Sequence, residues 1–230
     1  MTGVLASQQL RVMIDKGHLS ASAPFMDGQI QPASLDLRLG HTAYRVRASF
    51  LTGASRTVAD RLSDFKMHQI DLSEGAVLEK GCVYVVPLLE SLNLPAGVTG
   101  AASAKSSIGR LDLLTRIITD QGTEFDRIPE GYTGPLYVEI CPQSFSVIAK
   151  TGQMLNQVIF RDGLTVIDDT ELKALHAKTP VVSGDAVISE GLGFSVDLKP
   201  SDGTLVGYRA KPHTGVIDLD KLAHYAPKDF

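Results

Sequence analysis

A chain of 230 residues, 43% of them hydrophobic, is long enough for one large domain, or one domain and part of a second, and apolar enough to fold around a core. A net charge of −4 with no basic tail or stripe excludes a general nucleic-acid binder, while leaving room for a small anionic substrate met by local cations. Two cysteines are too few for a disulfide scaffold or a cysteine metal cage, and no apolar run approaches the roughly 18 residues of a membrane span.

Tryptophan is absent and aromatics make up 6%, so the core is expected to be aliphatic. The first ten residues, MTGVLASQQL, carry no positive segment followed by an apolar one. The two cysteines suit a reducing compartment. The expectation is a cytoplasmic protein with no membrane contact.

In chain order, Ser7 to Lys16 reads as a short helix, with Ser7 as its cap, Leu10, Met13 and Ile14 on one face, and Gly17 as its end. After Pro24 the period changes. Leu35-Asp36-Leu37-Arg38-Leu39 alternates apolar and polar before Gly40, the pattern of a half-buried strand, and Tyr44 to Arg47 continues it. Short apolar runs then follow at Val83–Leu89, Val98–Ala102, Leu113–Ile118, Leu136–Ile140, Phe145–Ile148 and Leu155–Phe160, punctuated by Gly and Pro. Strands at this spacing predict a sandwich or barrel rather than βαβ units. Thr170 to Lys178 reads as a second short helix in a connector, with Pro180 after it.

The tail contains echoes of the start. Phe194-Ser195-Val196-Asp197-Leu198 matches Ala33-Ser34-Leu35-Asp36-Leu37, Tyr208-Arg209 matches Tyr44-Arg45, and Ile217-Asp218-Leu219 matches Ile70-Asp71-Leu72. Two readings stay open: a true repeat that ends partway through its second unit, or strands that merely look alike. The division expected is a domain over 1–165, a connector over 166–185, and a partial second unit or C-terminal extension over 186–230.

Three segments carry chemistry. Ala104-Lys105-Ser106-Ser107-Ile108-Gly109-Arg110 brackets two hydroxyls between two cations, the donors and charge that phosphate oxygens require. It reads equally as a polar turn with an exposed Lys and Arg. The second segment runs from Asp126 through Tyr132 to Glu139, which sits inside an otherwise apolar strand. A carboxyl taken out of water can serve as general acid and base near neutral pH. The alternation of strand faces also permits Glu139 to point to water. The third, Thr151 to Phe160, is a turn into a strand whose amides, Gln157 among them, suit either base recognition or a subunit contact. Zinc deaminase chemistry needs H-x-E followed by P-C-x-x-C, and the chain has no C-x-x-C. The six histidines show no ligand spacing, so no metal-binding residues are assigned.

Taken in order, these segments resemble the dCTP deaminase family. Gln31 to Gly40 resembles its N-terminal strand motif. Lys105 to Leu111 resembles its R-S-S-x-x-R-L motif with Lys first, and Gly131-Tyr132-Thr133-Gly134 through Glu139 resembles its G-[WY]-x-G-x-x-x-x-E segment. Gly152 to Phe160 resembles the glycine-led strand that follows. The resemblance implies a mostly β fold of the dUTPase-like type, a distorted β-barrel or jelly roll with a short N-terminal helix, assembled as a trimer or pseudo-trimer with active sites between subunits. It implies zinc-independent hydrolysis of dCTP to dUTP and ammonia, with Glu139 as general acid/base assisted by Arg110 and Ser106. Lys105 and Ser107 would lie by the triphosphate with its Mg2+, Tyr132 and Asp126 by the sugar, and Gln157 in the substrate site. dTTP is implied as an inhibitor. Three other outcomes stay open: a dUTPase, a bifunctional enzyme yielding dUMP, and a non-catalytic nucleotide-binding relative. The lack of a glycine-rich C-terminal motif, together with Glu139, weighs against the dUTPase.

Overall fold

In the computed structural model, which describes residues 3–163, 166–199 and 202–230, the chain is mostly β, as its alternation predicts. By contacts it divides into one unit of residues 1–163 with 210–230 and a second of residues 164–209. Each is described by itself.

The first unit opens with β1 (Gly3–Val4) and α1 (Ser7–Asp15). The cap of α1 is Ala6, not Ser7: the Gln9 side chain accepts the Ala6 N–H at 2.8 Å, so Ser7 is already helical. Leu10 and Met13 turn inward at i, i+3. Gly17, at φ 72°, takes the left-handed turn that ends the helix while its N–H and that of His18 close onto Ile14 and Met13. β2 (Leu19–Ala21), β3 (Leu35–Arg38) and β4 (Thr42–Val46) follow.

β3 is buried at all four positions rather than half-buried. Leu35 and Leu37 enter the core, while Asp36 and Arg38 are sheltered by charge partners, Lys105 and Glu90. Alternation marks two faces correctly, but it does not say whether the polar face meets water or a counter-charge.

The apolar pattern alone did not reveal α2 (Val58–Phe65). Its start is a reciprocal cap: Thr57 Oγ1 accepts from Asp60 N–H at 3.1 Å and the Asp60 carboxylate accepts from Thr57 N–H at 2.9 Å. β5 (Lys66–Asp71), β6 (Ala76–Leu78), β7 (Val83–Asn93) and β8 (Val98–Ala104) lead to the short α3 (Ser106–Gly109). β9 (Leu113–Thr119), β10 (Arg127–Ile128), β11 (Thr133–Pro142), β12 (Val147–Ala149) and β13 (Met154–Asp162) complete the run. Each apolar run read from sequence overlaps one of these strands, but Phe145–Ile148 does so only at Val147 and Ile148 of β12.

Two large open sheets result, beside a small one that pairs β6 with β12. The first has the order β1-β13-β8-β10, with β3 also on β13; the second has the order β5-β4-β7-β11-β9, with β2 also on β7. Neither closes into a barrel. One aliphatic core, including Leu35, Leu37, Val138, Ile140, Val158 and Phe160, joins their inner faces. A smaller cluster of Val46, Phe50, Val58, Leu62, Val85 and Ile118 lies on the far face of the second sheet, beneath α2 and the segment before it.

The second unit contains α4 (Asp169–Lys178), capped by Asp168, and a hairpin of β14 (Val187–Ile188) and β15 (Leu192–Gly193). The Asp169 carboxylate accepts the N–H groups of Glu190 and Gly191 at 2.9 and 3.0 Å, tying helix to hairpin. Phe194, Val196 and Leu198, the start of the possible repeat, form no strand and are exposed. Chain then returns to the first unit as β16 (Ile217–Asp218), parallel to β12.

Candidate active site

Glu139 occupies the middle of β11, flanked by β7 and β9. The ladders align Gln69, Tyr44, Val85, Glu139 and Arg116 in one row across the second sheet. This row faces the smaller apolar cluster, so the side of β11 that alternation left open to water is covered. Glu139 is 1% exposed. Its Oε1 accepts two bonds from Arg116, from Nη2 at 2.5 Å and Nε at 3.2 Å. Its Oε2 is buried with no hydrogen-bond partner among the described residues. A guanidinium beside a buried carboxylate compensates part of its lost solvation, and the unpaired oxygen is available to a ligand.

Sequence reasoning missed Arg116. The signal was present: Arg116 interrupts the apolar run of β9 as Glu139 interrupts that of β11. Directly opposite positions in an antiparallel ladder then make the two a pair.

Arg110 and Ser106, the other expected catalytic residues, lie elsewhere. Ser106 opens α3 at the end of β8, in the first sheet, and Ser106, Ser107 and Arg110 are exposed. No hydrogen bond or ion pair joins any of the three to Glu139 within the described residues. Lys105 is ion-paired with Asp36, and the N–H of Lys105 bonds to Leu155 O at 2.9 Å, which seats the segment on β13. Gln157 stands between Asp36 and Ser103 in the ladder, and its Oε1 accepts from Ser34 Oγ at 3.4 Å. Asp36, Ser103, Lys105 and Gln157 thus gather at one end of the outer face of the first sheet, opposite the face that carries Leu35, Val158 and Phe160 into the core.

Further along that sheet is a cleft of 310 Å3 lined by Thr99, Gln121, Glu124, Arg127, Glu130 and Arg161, among others. Arg161 lies opposite Thr99, and Arg127 opposite Ala101. The Arg161 Nε is buried without a hydrogen-bond partner among the described residues. The Glu130 carboxylate accepts the Gly97 N–H at 2.7 Å. None of the residues assigned a catalytic or substrate-binding role from sequence lines this cleft, although Arg127 to Glu130 belong to the second segment read from sequence. Arg127 falls within the second segment, and Arg161 carried no signal beyond its charge.

Asp126 and Tyr132 flank the cleft loop from inside. Asp126, at φ 62°, has its Oδ1 accepting the Ile117 N–H at 2.7 Å, and desolvation raises its carboxyl above the usual carboxylate range. The Tyr132 hydroxyl donates to Pro135 O at 2.7 Å and accepts from Asp120 N–H at 3.1 Å. Burial pushes its phenol up to about 12. Both residues shape the loop that forms the cleft wall.

Comparison with known proteins points one way. Residues 1–164 match the family model of the 2′-deoxycytidine 5′-triphosphate deaminase N-terminal domain, and residues 168–230 match that of its C-terminal domain. The crystal structure of a 2′-deoxycytidine 5′-triphosphate deaminase from Agrobacterium tumefaciens is 48% identical with a TM-score of 0.88, covering all of this chain and 69% of that one. A protein of Corynebacterium kroppenstedtii named "dCTP deaminase, dUMP-forming" is 34% identical over 120 residues, and that match spans 49% of this chain and 59% of that protein. One of Actinobacillus succinogenes named "dCTP deaminase" is 28% identical over 143 residues, 59% of this chain and 70% of that protein.

Proposed function

The chain belongs to the 2′-deoxycytidine 5′-triphosphate deaminase family, and on that premise we propose that it hydrolyses dCTP to dUTP and ammonia with Glu139 as the proton carrier. The observation that carries this reading is the buried Glu139 carboxylate, with one oxygen held by Arg116 and the other unpartnered among the described residues.

Attack at C4 of the base requires a water to lose a proton, N3 to gain one, and the exocyclic amine to leave as ammonia. One carboxyl can take a proton from the attacking water and give it to N3, then take the second from the resulting C4 hydroxyl and give it to the departing amine, which leaves as ammonia while C4=O forms. Lys105 and Ser107 supply a cation and a hydroxyl for the triphosphate on the outer face of the first sheet, with Gln157 beside them in the substrate site and Ser106 assisting at the attacking water. Tyr132 and Asp126 shape the loop beside the deoxyribose. Arg110, exposed and free of side-chain hydrogen bonds within the described residues, is available to the substrate of another subunit.

A site shared between subunits accounts for the separation of Glu139 from Ser106 and Arg110, and supports the trimer. Mg2+ would be carried on the phosphate oxygens of the substrate rather than in a protein cage. That ion would neutralise triphosphate charge.

A second reading is favoured by the names of the relatives. The proteins of Corynebacterium kroppenstedtii and Methanoculleus marisnigri are both named as dUMP-forming. An enzyme of that kind would release pyrophosphate as well as ammonia. The test incubates the purified chain with dCTP and Mg2+ and quantifies ammonia, dUTP, dUMP and pyrophosphate together. Equimolar dUTP and ammonia identify a deaminase; dUMP and pyrophosphate identify the bifunctional enzyme. Glu139→Gln should abolish ammonia release while retaining dCTP binding, and normal turnover in that variant would sink the role given to Glu139.

A further inference from the structure

We infer that Arg116 is a positioning residue for the reaction, holding Glu139 in a single orientation and passing the placement of the cleft loop to it; this rests on the reading of Glu139 as proton carrier. Glu139 has two carboxylate oxygens in different states. Oε1 receives both Arg116 bonds, at 2.5 and 3.2 Å, and Oε2 receives none among the described residues. The fork makes Oε1 the fixed acceptor and leaves Oε2 as the oxygen that can carry a proton. Without the fork the two oxygens exchange by rotation, and the reacting oxygen loses its fixed position.

Arg116 is itself held from two further sides. Its Nη2 donates to Ser49 Oγ at 3.1 Å, and its guanidinium carbon lies 3.8 Å from the centre of the Phe125 ring. Phe125 belongs to the loop whose neighbouring residues Gln121 to Glu124 and Arg127 line the cleft. The next residue, Asp126, bonds to the N–H of Ile117, adjacent to Arg116 on β9. Ser49 lies on the segment that reaches the same loop: Thr52 Oγ1 donates to Gly122 O at 3.0 Å, and Gln121 N–H bonds to Arg56 O at 2.9 Å. One guanidinium therefore joins the buried acid, the cleft loop and the covering segment.

A planar guanidinium can make the fork and the stack at once; an ammonium carries the charge but can do neither fully. Loss of a placement of this kind costs about 100-fold in rate when a reacting group shifts by roughly an ångström.

The test compares wild type, Arg116→Ala, Arg116→Lys, Phe125→Leu and Glu139→Gln for kcat, KM, dCTP binding and thermal midpoint. Arg116→Ala should lose about 100-fold in kcat with KM within about threefold, because the residue acts through Glu139 and not on the substrate. Guanidinium chloride at low millimolar concentration should restore kcat about tenfold in Arg116→Ala and not at all in Glu139→Gln. Arg116→Lys should retain more activity than Arg116→Ala, and Phe125→Leu should lower kcat by several-fold. An Arg116→Ala enzyme that folds and keeps kcat within about threefold overturns the inference while leaving the role of Glu139 intact. An active Glu139→Gln enzyme overturns the role of Glu139 itself.

Discussion

Lys105, the first cation of the phosphate-type segment, is ion-paired with Asp36, and the two side chains differ in exposure, 30% for Lys105 and 2% for Asp36. A cation offered to phosphate at one end and held by a buried carboxylate at the other is fixed in place rather than free on a loop. Removing Lys105 would leave a buried charge without its partner, which costs more than the pair itself contributes.

Lys105→Met is accordingly expected to lower unfolding stability by about 1–3 kcal/mol, less than the cost of breaking a fully buried pair because the lysine is partly solvated. Lys105→Met with Asp36→Asn should recover a substantial part of that loss. Urea unfolding of the two single variants and the double variant measures the coupling. Additive losses would show that the pair is not coupled in solution.

Asp126 gives a pH-dependent expectation. Its folded carboxyl titrates above the unfolded one, chiefly through desolvation, so the protonated form is favoured in the native state. Stability from this group is present below the unfolded value and is lost as pH rises through the folded one. Asp126→Asn keeps an oxygen for the Ile117 N–H and tolerates the left-handed backbone. That variant should be at least as stable as wild type at pH 7, with the difference shrinking towards pH 4. Thermal midpoints across this range check it, and a difference that grows on acidification contradicts it.

Tyr132 titrates in the opposite region. Its phenol is raised to about 12, so its contribution is present below about pH 10, the unfolded value, and is lost between there and about pH 12. Tyr132→Phe removes the hydroxyl that joins Asp120 to Pro135, and should cost about 1–2 kcal/mol at pH 7. Its stability should then fall less steeply than wild type above pH 10. Gly134→Ala tests the same packing, because a methyl there would stand 2.8 Å from the Tyr132 hydroxyl at a backbone φ of 154°. About 1–3 kcal/mol of destabilisation is expected from the forced shift.

A site shared between subunits has a direct signature. Glu139→Gln and Ser106→Ala chains should each be inactive alone. Unfolded together and refolded as mixed assemblies, they should regain part of the wild-type rate if sites are shared, since some sites then combine an intact Glu139 with an intact Ser106. Mixtures that stay inactive, with subunit exchange verified by mass, would place both residues in one chain's site.

Much of the fold was legible in the chain. Every apolar run between Val83 and Phe160 marks a strand, because alternation with Gly and Pro punctuation is a local property. α2 was missed because its eight residues expose most of their surface and its start depends on a reciprocal Thr57–Asp60 cap. β3 was misjudged as half-buried for a different reason. Asp36 and Arg38 look solvent-facing in sequence, and only their distant partners, Lys105 and Glu90, make burial affordable.

The site divides in the same way. The chain's own order of motifs was enough to identify Glu139, Lys105, Ser106, Ser107 and Arg110 as candidates and to name the family they resemble. Tertiary structure decided that Glu139 is buried, that Arg116 is its partner, and that Phe125 and Ser49 hold that partner in turn. The physical reason is range. Residue type and strand alternation are carried by neighbours in the chain. The partner of a buried charge is set by cross-strand register and by the segment folded over it, and these join residues 23 and 67 positions apart.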